Sequence, residues 1–237
     1  MALPKINEAL RFELVIPSSK KRVSYRPYLV REEKLLLQAQ SLNDQKLIMR
    51  ATVDTIVSCV YDSINVDSLT SFDIEYIFTQ LRAVSVGETS KLNVMCRHGE
   101  ECVVRTEVLV DLTSVNVKQE NDDLSNIIKL NDEVSIELKY PSYTAFLENF
   151  DSEITTLDFT GRMARECIAA VLTPDERITE WNVSEIDYFI DSLTSGQFEE
   201  LANYVGNAPS LKHDVEWKCS GCGKDNKITL EGLSDFF

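Results

Sequence analysis

The chain has 237 residues, a net charge of −15, an apolar fraction of 43% and a charged fraction of 27%. These values are typical of a globular protein with one large domain or two modest ones. So acidic a chain would repel phosphate ligands unless its basic residues formed a concentrated patch. The longest apolar runs fall short of the roughly 20 residues needed to cross a bilayer. Residues 1–5 lack the features of a secretory signal, so we expect a soluble intracellular protein.

The charge is distributed unevenly along the chain. Residues 1–50 have a net charge of +5, which leaves −20 for the remainder. Asymmetry of this size is common on an ordinary solvated surface. The alternative is that a basic N-terminal arm, residues 1–26, docks on an acidic partner protein or on the acidic remainder of a neighbouring copy. Its docking residues would be Lys20, Lys21, Arg22 and Arg26.

Residues 27–88 are predicted to form a helical unit after the extended arm. Pro27 introduces the first helix, and Asn43 can cap the second. The third helix begins near Ser71 and has apolar residues at the spacing i, i+3, i+4, i+7, namely Ile74, Ile77, Phe78 and Leu81. Three short helices so close in sequence are expected to pack as a bundle.

The pattern changes from helix to strand at Thr89. Alternating apolar residues predict one strand that ends at Cys96 and, after a turn, a second strand at 104–112. Four more strands are predicted at 127–130, 134–138, 215–219 and 228–230. Together these strands predict a small β unit made of residues 89–140 and 211–237.

Residues 141–210 return to a helical pattern and form an insertion within this β unit. One helix is predicted from the apolar stripe of Met163, Cys167, Ala170 and Val171. Ser184 is a suitable N-cap for the next helix, and Gly206 ends the last one. The predicted fold class is therefore α+β, with a small β unit, a large helical insertion and an N-terminal helical unit.

Four of the six cysteines form two close pairs at predicted strand turns. The sharper pair is Cys219 and Cys222, because two cysteines three residues apart in a tight turn can direct both sulfur atoms at one metal ion. Gly221 and Gly223 would let backbone N–H groups turn towards the thiolates. The remaining two cysteines, Cys59 and Cys167, lie on apolar helix faces and are predicted to be small core residues.

The other pair, Cys96 and Cys102, is more widely spaced but can supply the second half of a site. The two pairs are 116 residues apart, whereas common zinc motifs have about 12–20 residues between pairs. A site formed by both pairs would therefore close around a large insertion. We predict one structural Zn²⁺ per chain, bound by all four thiolates, which makes the small β unit zinc-ribbon-like.

Three alternatives to a four-cysteine zinc site remain open at this point. A disulfide is disfavoured in an intracellular chain. A redox-active pair normally begins a helix, which lowers the thiol pKa, whereas Cys222 is followed by a polar turn and a predicted strand. The third alternative is that His98 replaces Cys96 or Cys102 as a ligand.

The sequence contains no recognisable active site. Its two histidines, His98 and His213, lie outside nucleophile and metallohydrolase motifs, and glycine-rich phosphate-binding motifs do not occur. A metal ion with four thiolate ligands also has no open position for a substrate. We expect a non-enzymatic protein that acts by binding other proteins.

Three segments, in sequence order, match a known pattern. The first contains Ile16-Pro17-Ser18 and Arg26-Pro27-Tyr28-Leu29-Val30-Arg31-Glu32-Glu33-Lys34-Leu35-Leu36-Leu37. The second contains Phe72-Asp73-Ile74-Glu75-Tyr76-Ile77-Phe78, Leu81-Arg82-Ala83 and Ser85-Val86-Gly87-Glu88. The third contains Pro209-Ser210-Leu211-Lys212-His213, Trp217-Lys218-Cys219, Cys222-Gly223 and Leu230-Glu231-Gly232-Leu233-Ser234-Asp235-Phe236-Phe237. Together they resemble the T4-type phage baseplate hub subunit or hub assembly protein family.

The resemblance implies a component of the central hub of a contractile phage tail baseplate, or a factor that helps to build it. Its partners would be other phage baseplate hub and tail proteins. The short apolar runs argue against a membrane, and the acidic composition disfavours nucleic acid. It would be found in the virion, or in the infected host cytoplasm during assembly. A zinc-ribbon protein that binds nucleic acid is the alternative from another class, although acids surround Lys218, Lys224 and Lys227.

The chain ends in two adjacent aromatic residues, Phe236 and Phe237. A chain terminus usually frays, so two terminal aromatics indicate an anchor. Both rings could pack on the β unit of their own chain, as most buried aromatics do. They could instead bind a neighbouring protein, because paired aromatics are typical interface anchors.

Overall fold

The structure is a computed structural model and describes residues 10–98, 102–119, 125–149 and 155–236. The helices of these residues are α1 (Val30–Ser41), α2 (Gln45–Cys59), α3 (Ser71–Ser85), α4 (Tyr143–Asn149), α5 (Thr156–Cys167), α6 (Val183–Asp191) and α7 (Ser195–Gly206). The strands are β1 (Phe12–Val15), β2 (Arg22–Tyr25), β3 (Thr89–Met95), β4 (Arg105–Asp111), β5 (Asn116–Lys118), β6 (Ile127–Lys129), β7 (Ser135–Leu138), β8 (Ile168–Leu172), β9 (Arg177–Ile178), β10 (Ser210–Lys218) and β11 (Asp225–Glu231). Helices and small antiparallel sheets are mixed, which confirms the α+β prediction.

The chain divides into two compact units. The first unit comprises Met1–Val66, Phe72–Lys118 and Ser210–Phe237, and the second comprises Asp67–Ser71 and Gln119–Pro209. This division differs from the four segments expected from the sequence. Strands β6 and β7, which were expected in the same β unit as β10 and β11, belong to the second unit because β7 pairs with β8.

In the first unit, the N-terminal segment is a β hairpin. Strands β1 and β2 pair in antiparallel register, and the turn between them closes through backbone hydrogen bonds that join Ile16 to Lys20 and Lys21. The hairpin is attached to the end of α2, since the Arg26 N–H donates to the Cys59 carbonyl and Tyr25 bridges to Val60. The described part of the arm is therefore folded onto its own unit.

Three element boundaries differ from the sequence predictions. The cap of α2 is Asp44, whose carboxylate accepts the Leu47 N–H at 3.2 Å, while Asn43 occupies the preceding turn with φ of +52°. The cap of α6 is Asn182 rather than Ser184. The predicted helix through Val171 ends at Cys167, because the following residues pair with β7 as strand β8.

Helices α2 and α3 contribute buried side chains to the first unit, among them Ile56, Ile74 and Leu81. One core cluster of this unit is formed mainly by β strands. The hairpin β3–β4 and the sheet of order β11-β10-β5 contribute most of its apolar side chains. The buried residues of this cluster are Ala83, Val94, Val110, Leu112, Val115, Leu211, Val215, Trp217, Leu230 and Phe236. Each strand alternates between buried and exposed residues, as expected for a sheet with one solvated face.

The second unit has its own core, between a sheet and helices. The sheet has the order β6-β7-β8-β9, and the helices α5, α6 and α7 add their apolar faces. The buried residues are Ile128, Ile136, Leu138, Ala164, Ile168, Ile186, Leu201 and Tyr204. The ring of Tyr204 stacks on Tyr140 with 5.0 Å between centroids. Apolar packing of helices on a sheet thus holds this unit together.

Candidate metal centre

Two hairpin turns of the first unit bring four cysteines together. Cys96 and Cys102 lie in the connection between β3 and β4, and Cys219 and Cys222 lie in the connection between β10 and β11. The sulfur atoms of Cys96 and Cys222 are 3.6 Å apart, as are those of Cys102 and Cys219. All four sulfur atoms lie within 4.8 Å of one another, so the cluster could bind one metal ion.

The turn between β10 and β11 is built around its first cysteine. The Cys219 N–H donates to the Lys224 carbonyl, and the Cys219 carbonyl accepts the Gly223 N–H, both at 2.9 Å. Gly223 has φ of +70°, a conformation that favours glycine. At Gly221 a Cβ atom would lie only 2.6 Å from the Val104 side chain. Glycine is therefore required at one position for its backbone and at the other for close packing.

Backbone and side-chain hydrogen bonds join the two turns beside the sulfur cluster. The buried Asn226 side chain accepts the Arg97 N–H at 2.9 Å and donates to the Lys224 carbonyl at 3.0 Å. The role of Asn226 is not predictable from the sequence, because a polar residue in a strand gives no local signal of a hydrogen bond to another hairpin. The exposed His98 ring contacts the Asp225 carbonyl instead of joining the sulfur cluster.

Neighbouring groups change the ionisation of the thiols. The backbone N–H groups of Cys222 and Gly221 point at Cys219 and lower the pKa of its thiol to about 6. The Val104 N–H also lowers the pKa of Cys102, but the neighbouring thiols, Cys219 first, raise it to about 11. Because the four thiols lie so close together, ionising all of them is costly, and a bound cation would offset the repulsion between the thiolates.

The two remaining cysteines are buried, as predicted. Cys59 and Cys167 are the last residues of α2 and α5, with exposed fractions of 1% and 0%. Burial raises the pKa of the Cys59 thiol, and it raises that of Cys167 to about 12. Both are therefore inert core residues, in contrast to the four clustered cysteines.

The residues proposed to dock on a partner have different environments. Lys20, Lys21 and Arg22 are exposed at the turn between β1 and β2. The Lys21 ammonium donates to the Ser63 carbonyl at 2.8 Å, and Arg22 forms an exposed ion pair with Glu13. These three cations remain accessible to a partner.

Arg26, the fourth proposed docking residue, is buried. Its guanidinium donates to Glu32 at 2.9 Å and to the carbonyls of Pro27 and Ser58. Burial raises the pKa of Glu32, but the hydrogen bonds from Arg26, Arg31 and the Leu29 N–H outweigh it and lower the pKa to about 2. Arg26 therefore holds its own fold together and does not belong to a docking surface.

The C-terminal aromatic anchor also packs inside the first unit. Phe236 is 0% exposed in the core cluster, and its carbonyl accepts the Ser90 hydroxyl at 2.7 Å. Phe237 lies outside the described residues. The preceding turn is held by Glu75, whose carboxylate accepts the N–H groups of Leu211 and Leu233. Phe236 therefore packs on its own chain, which is one of the two alternatives; the other is binding to a neighbouring protein.

Comparisons with known proteins agree with the segments singled out in the sequence. The sequence profile of a family described as T4 bacteriophage base plate protein matches residues 9–237, nearly the whole chain. No curated protein and no solved structure matches. Among the described residues, none of the helices is long and apolar enough to span a membrane. The chain therefore belongs to the T4 bacteriophage base plate protein family and is a protein of the virion tail baseplate.

Proposed function

We propose that this protein is a non-enzymatic component of the central hub of the baseplate, or a factor that assembles the hub. It acts by stoichiometric protein–protein binding around a fold held by one structural Zn²⁺ per chain. The observation that supports this most directly is the cluster of four cysteine sulfur atoms within 4.8 Å in a chain of the base plate family.

The donor set and its geometry fit zinc. Zn–S bonds of about 2.3 Å in a tetrahedron place the sulfur atoms about 3.8 Å apart, close to the 3.6 Å of the two pairs. A disulfide would require about 2.05 Å instead. Bound zinc would supply stability at the hairpin ends, where the unit has little apolar area, and four thiolates would leave no position for a substrate.

The residues available for binding partners are the cations at the turn between β1 and β2. Lys20, Lys21 and Arg22 are exposed, and charged groups at such a rim speed association with an oppositely charged protein. We therefore propose that this turn docks on an acidic surface within the baseplate, either of another protein or of a neighbouring copy of this chain.

Two measurements test the proposed function. Elemental analysis of the protein purified without added metal should give about one zinc per chain, and Cys219→Ser should lower that value while Cys59→Ser leaves it unchanged. Less than about a third of a zinc per wild-type chain would contradict the zinc site.

Mass spectrometry of mature particles separates the two roles in the hub. A fixed copy number per tail is expected of a hub subunit. Presence in assembly intermediates but absence from mature particles would identify an assembly chaperone. Absence from both would contradict a role in the hub.

A further inference from the structure

The second unit has an exposed face that the proposed function does not use. Tyr188, on α6, is 79% exposed, and Val183 at the start of the same helix is 62% exposed. Glu185 and Asp191 lie three residues before and after Tyr188, so the ring stands between two carboxylates on one side of the helix. An exposed aromatic residue in such a setting is typical of an interface.

Acidic residues predominate in this part of the sequence. Between Arg177 and Lys212 the chain contains no Lys or Arg, but it contains the acids Glu180, Glu185, Asp187, Asp191, Glu199 and Glu200. Asp187 forms an ion pair with Arg165, while Asp191, Glu199 and Glu200 are exposed. We call α6 and the first two turns of α7 the acidic face. It requires a partner that combines positive charge with apolar side chains.

The hairpin β1–β2 of the first unit presents that combination. Lys20, Lys21 and Arg22 occupy its turn, and three apolar side chains beside or within β1 are exposed, namely Leu10 at 48%, Phe12 at 37% and Val15 at 42%. We call this surface the basic hairpin. Cations beside an exposed tyrosine can also bind its ring directly.

We propose that the acidic face of one copy binds the basic hairpin of a second copy. This inference rests on the proposed function, because it names the acidic partner on which the hairpin docks. Each copy carries both surfaces, so two copies can bind reciprocally as a two-fold dimer, or each can bind a different neighbour so that the assembly closes as a ring or extends as a chain. A contact made largely by charges weakens as salt increases.

Reciprocal charge reversal tests the contact. The basic-hairpin variant is Lys20→Glu, Lys21→Glu, Arg22→Glu, and the acidic-face variant is Asp191→Lys, Glu199→Lys, Glu200→Lys. Sedimentation equilibrium of the full chain should show concentration-dependent association for the wild type at low salt. Each variant alone should associate at least about tenfold more weakly, since like charges then face each other.

Mixing the two variants gives the decisive readout. Each variant keeps the wild-type surface that the other has lost, so an equimolar mixture should form a one-to-one complex that neither forms alone. Two matched controls carry the same change in net charge at exposed sites elsewhere. Lys34→Glu, Arg50→Glu, Lys118→Glu and Asp132→Lys, Glu133→Lys, Asp175→Lys should associate as the wild type does. Circular dichroism checks that every variant is folded.

The outcomes separate this inference from the proposed function. A wild-type protein that stays monomeric, or two variants that do not rescue each other, overturns the self-association. If self-association is absent but the basic-hairpin variant is not incorporated into baseplates, the hairpin binds a different baseplate protein and the proposed function stands. Self-association with mutual rescue, but absence from particles and from assembly intermediates, would retain this inference and contradict the role in the hub.

Discussion

The two units are held together in different ways. In the first unit, the hairpins β3–β4 and β10–β11 meet at four clustered cysteines at one end, while Phe236 fills the core. In the second unit, helices α5–α7 pack on a four-stranded sheet, and its cysteine, Cys167, is an inert core residue. The proposed zinc ion would stabilise the ends of these hairpins, whereas the packing of helices on a sheet holds the second unit together.

The largest expected effect appears when the removal of one thiol in the first unit is compared with the removal of one thiol in the second. Cys219→Ser should destabilise the first unit by at most on the order of 10 kcal/mol, the binding free energy of a whole structural zinc site, because it removes one of the four proposed ligands. Cys167→Ala should cost about 1–3 kcal/mol, as a small core truncation. Hydrogen exchange by mass spectrometry should show lost protection in β3, β4, β10 and β11 of the first variant, with α5–α7 still protected. Equal loss in both units would contradict the comparison.

The next effect concerns the aromatic residue that fills the first core. Phe236→Ala should lower the free energy of unfolding by about 3–5 kcal/mol, since a fully buried ring is lost. Phe236→Leu should cost less, because most of the volume is kept. Thermal unfolding of the isolated protein measures both. Unchanged stability combined with lost partner binding would instead assign Phe236 to an interface.

A third test uses the carboxylate that holds the C-terminal turn. Burial is the main cause that raises the pKa of Glu75 to about 7, and the nearby Glu231 also raises it. The N–H groups of Leu211 and Leu233 lower this pKa, but by less. A group whose pKa is higher in the folded than in the unfolded protein contributes stability that is fully present below the unfolded-state pKa. This contribution is lost as the pH rises through the folded-state pKa of about 7.

The wild type should therefore lose roughly 1–3 kcal/mol more than Glu75→Gln as the pH rises from about 5 to about 8. Chemical unfolding in the presence of excess zinc at several pH values gives the difference between the two proteins, in which shared metal effects cancel. Parallel pH profiles of the two proteins would contradict the raised pKa.

The smallest expected effects compare one glycine in each unit. Gly221→Ala should cost about 1–3 kcal/mol, because its Cβ would lie 2.6 Å from Val104 and would force the turn open. Gly161→Ala, in α5, meets no atom within 4 Å and should stabilise the second unit by about 0.5–1 kcal/mol. Melting curves with and without added zinc distinguish the two. The two variants are expected to change the melting temperature in opposite directions. Two decreases of equal size would contradict the close contact between Gly221 and Val104.

Elements with a complete local pattern were predictable from the sequence. The apolar spacing of α3 and the alternation of β3 and β4 lie within single segments, so their positions agree with the structure. The boundary between α5 and β8 was not predictable. Ala170 and Val171 continue the apolar stripe of the helix, and only pairing with β7 places them in a strand.

The candidate site shows the same division between local and long-range information. The spacing of Cys219 and Cys222 predicts half of a metal site, because the tight turn lies within a few residues. The acidic run between Arg177 and Lys212 can also be read directly from the sequence. The burial of Arg26 could not be predicted from the sequence. Its ion-pair partner, Glu32 on α1, becomes buried only when α1 folds against the end of the hairpin.

The sequence by itself therefore determined the fold class, the two cysteine pairs and the uneven charge, since each depends on composition or on short spacings. Only the tertiary structure decided that the pairs meet at 3.6 Å, that Phe236 belongs to its own core, and that Lys20, Lys21 and Arg22 remain exposed. The physical reason is that turns and helices form from neighbouring residues, whereas distant segments meet only where burying their apolar faces together lowers the free energy.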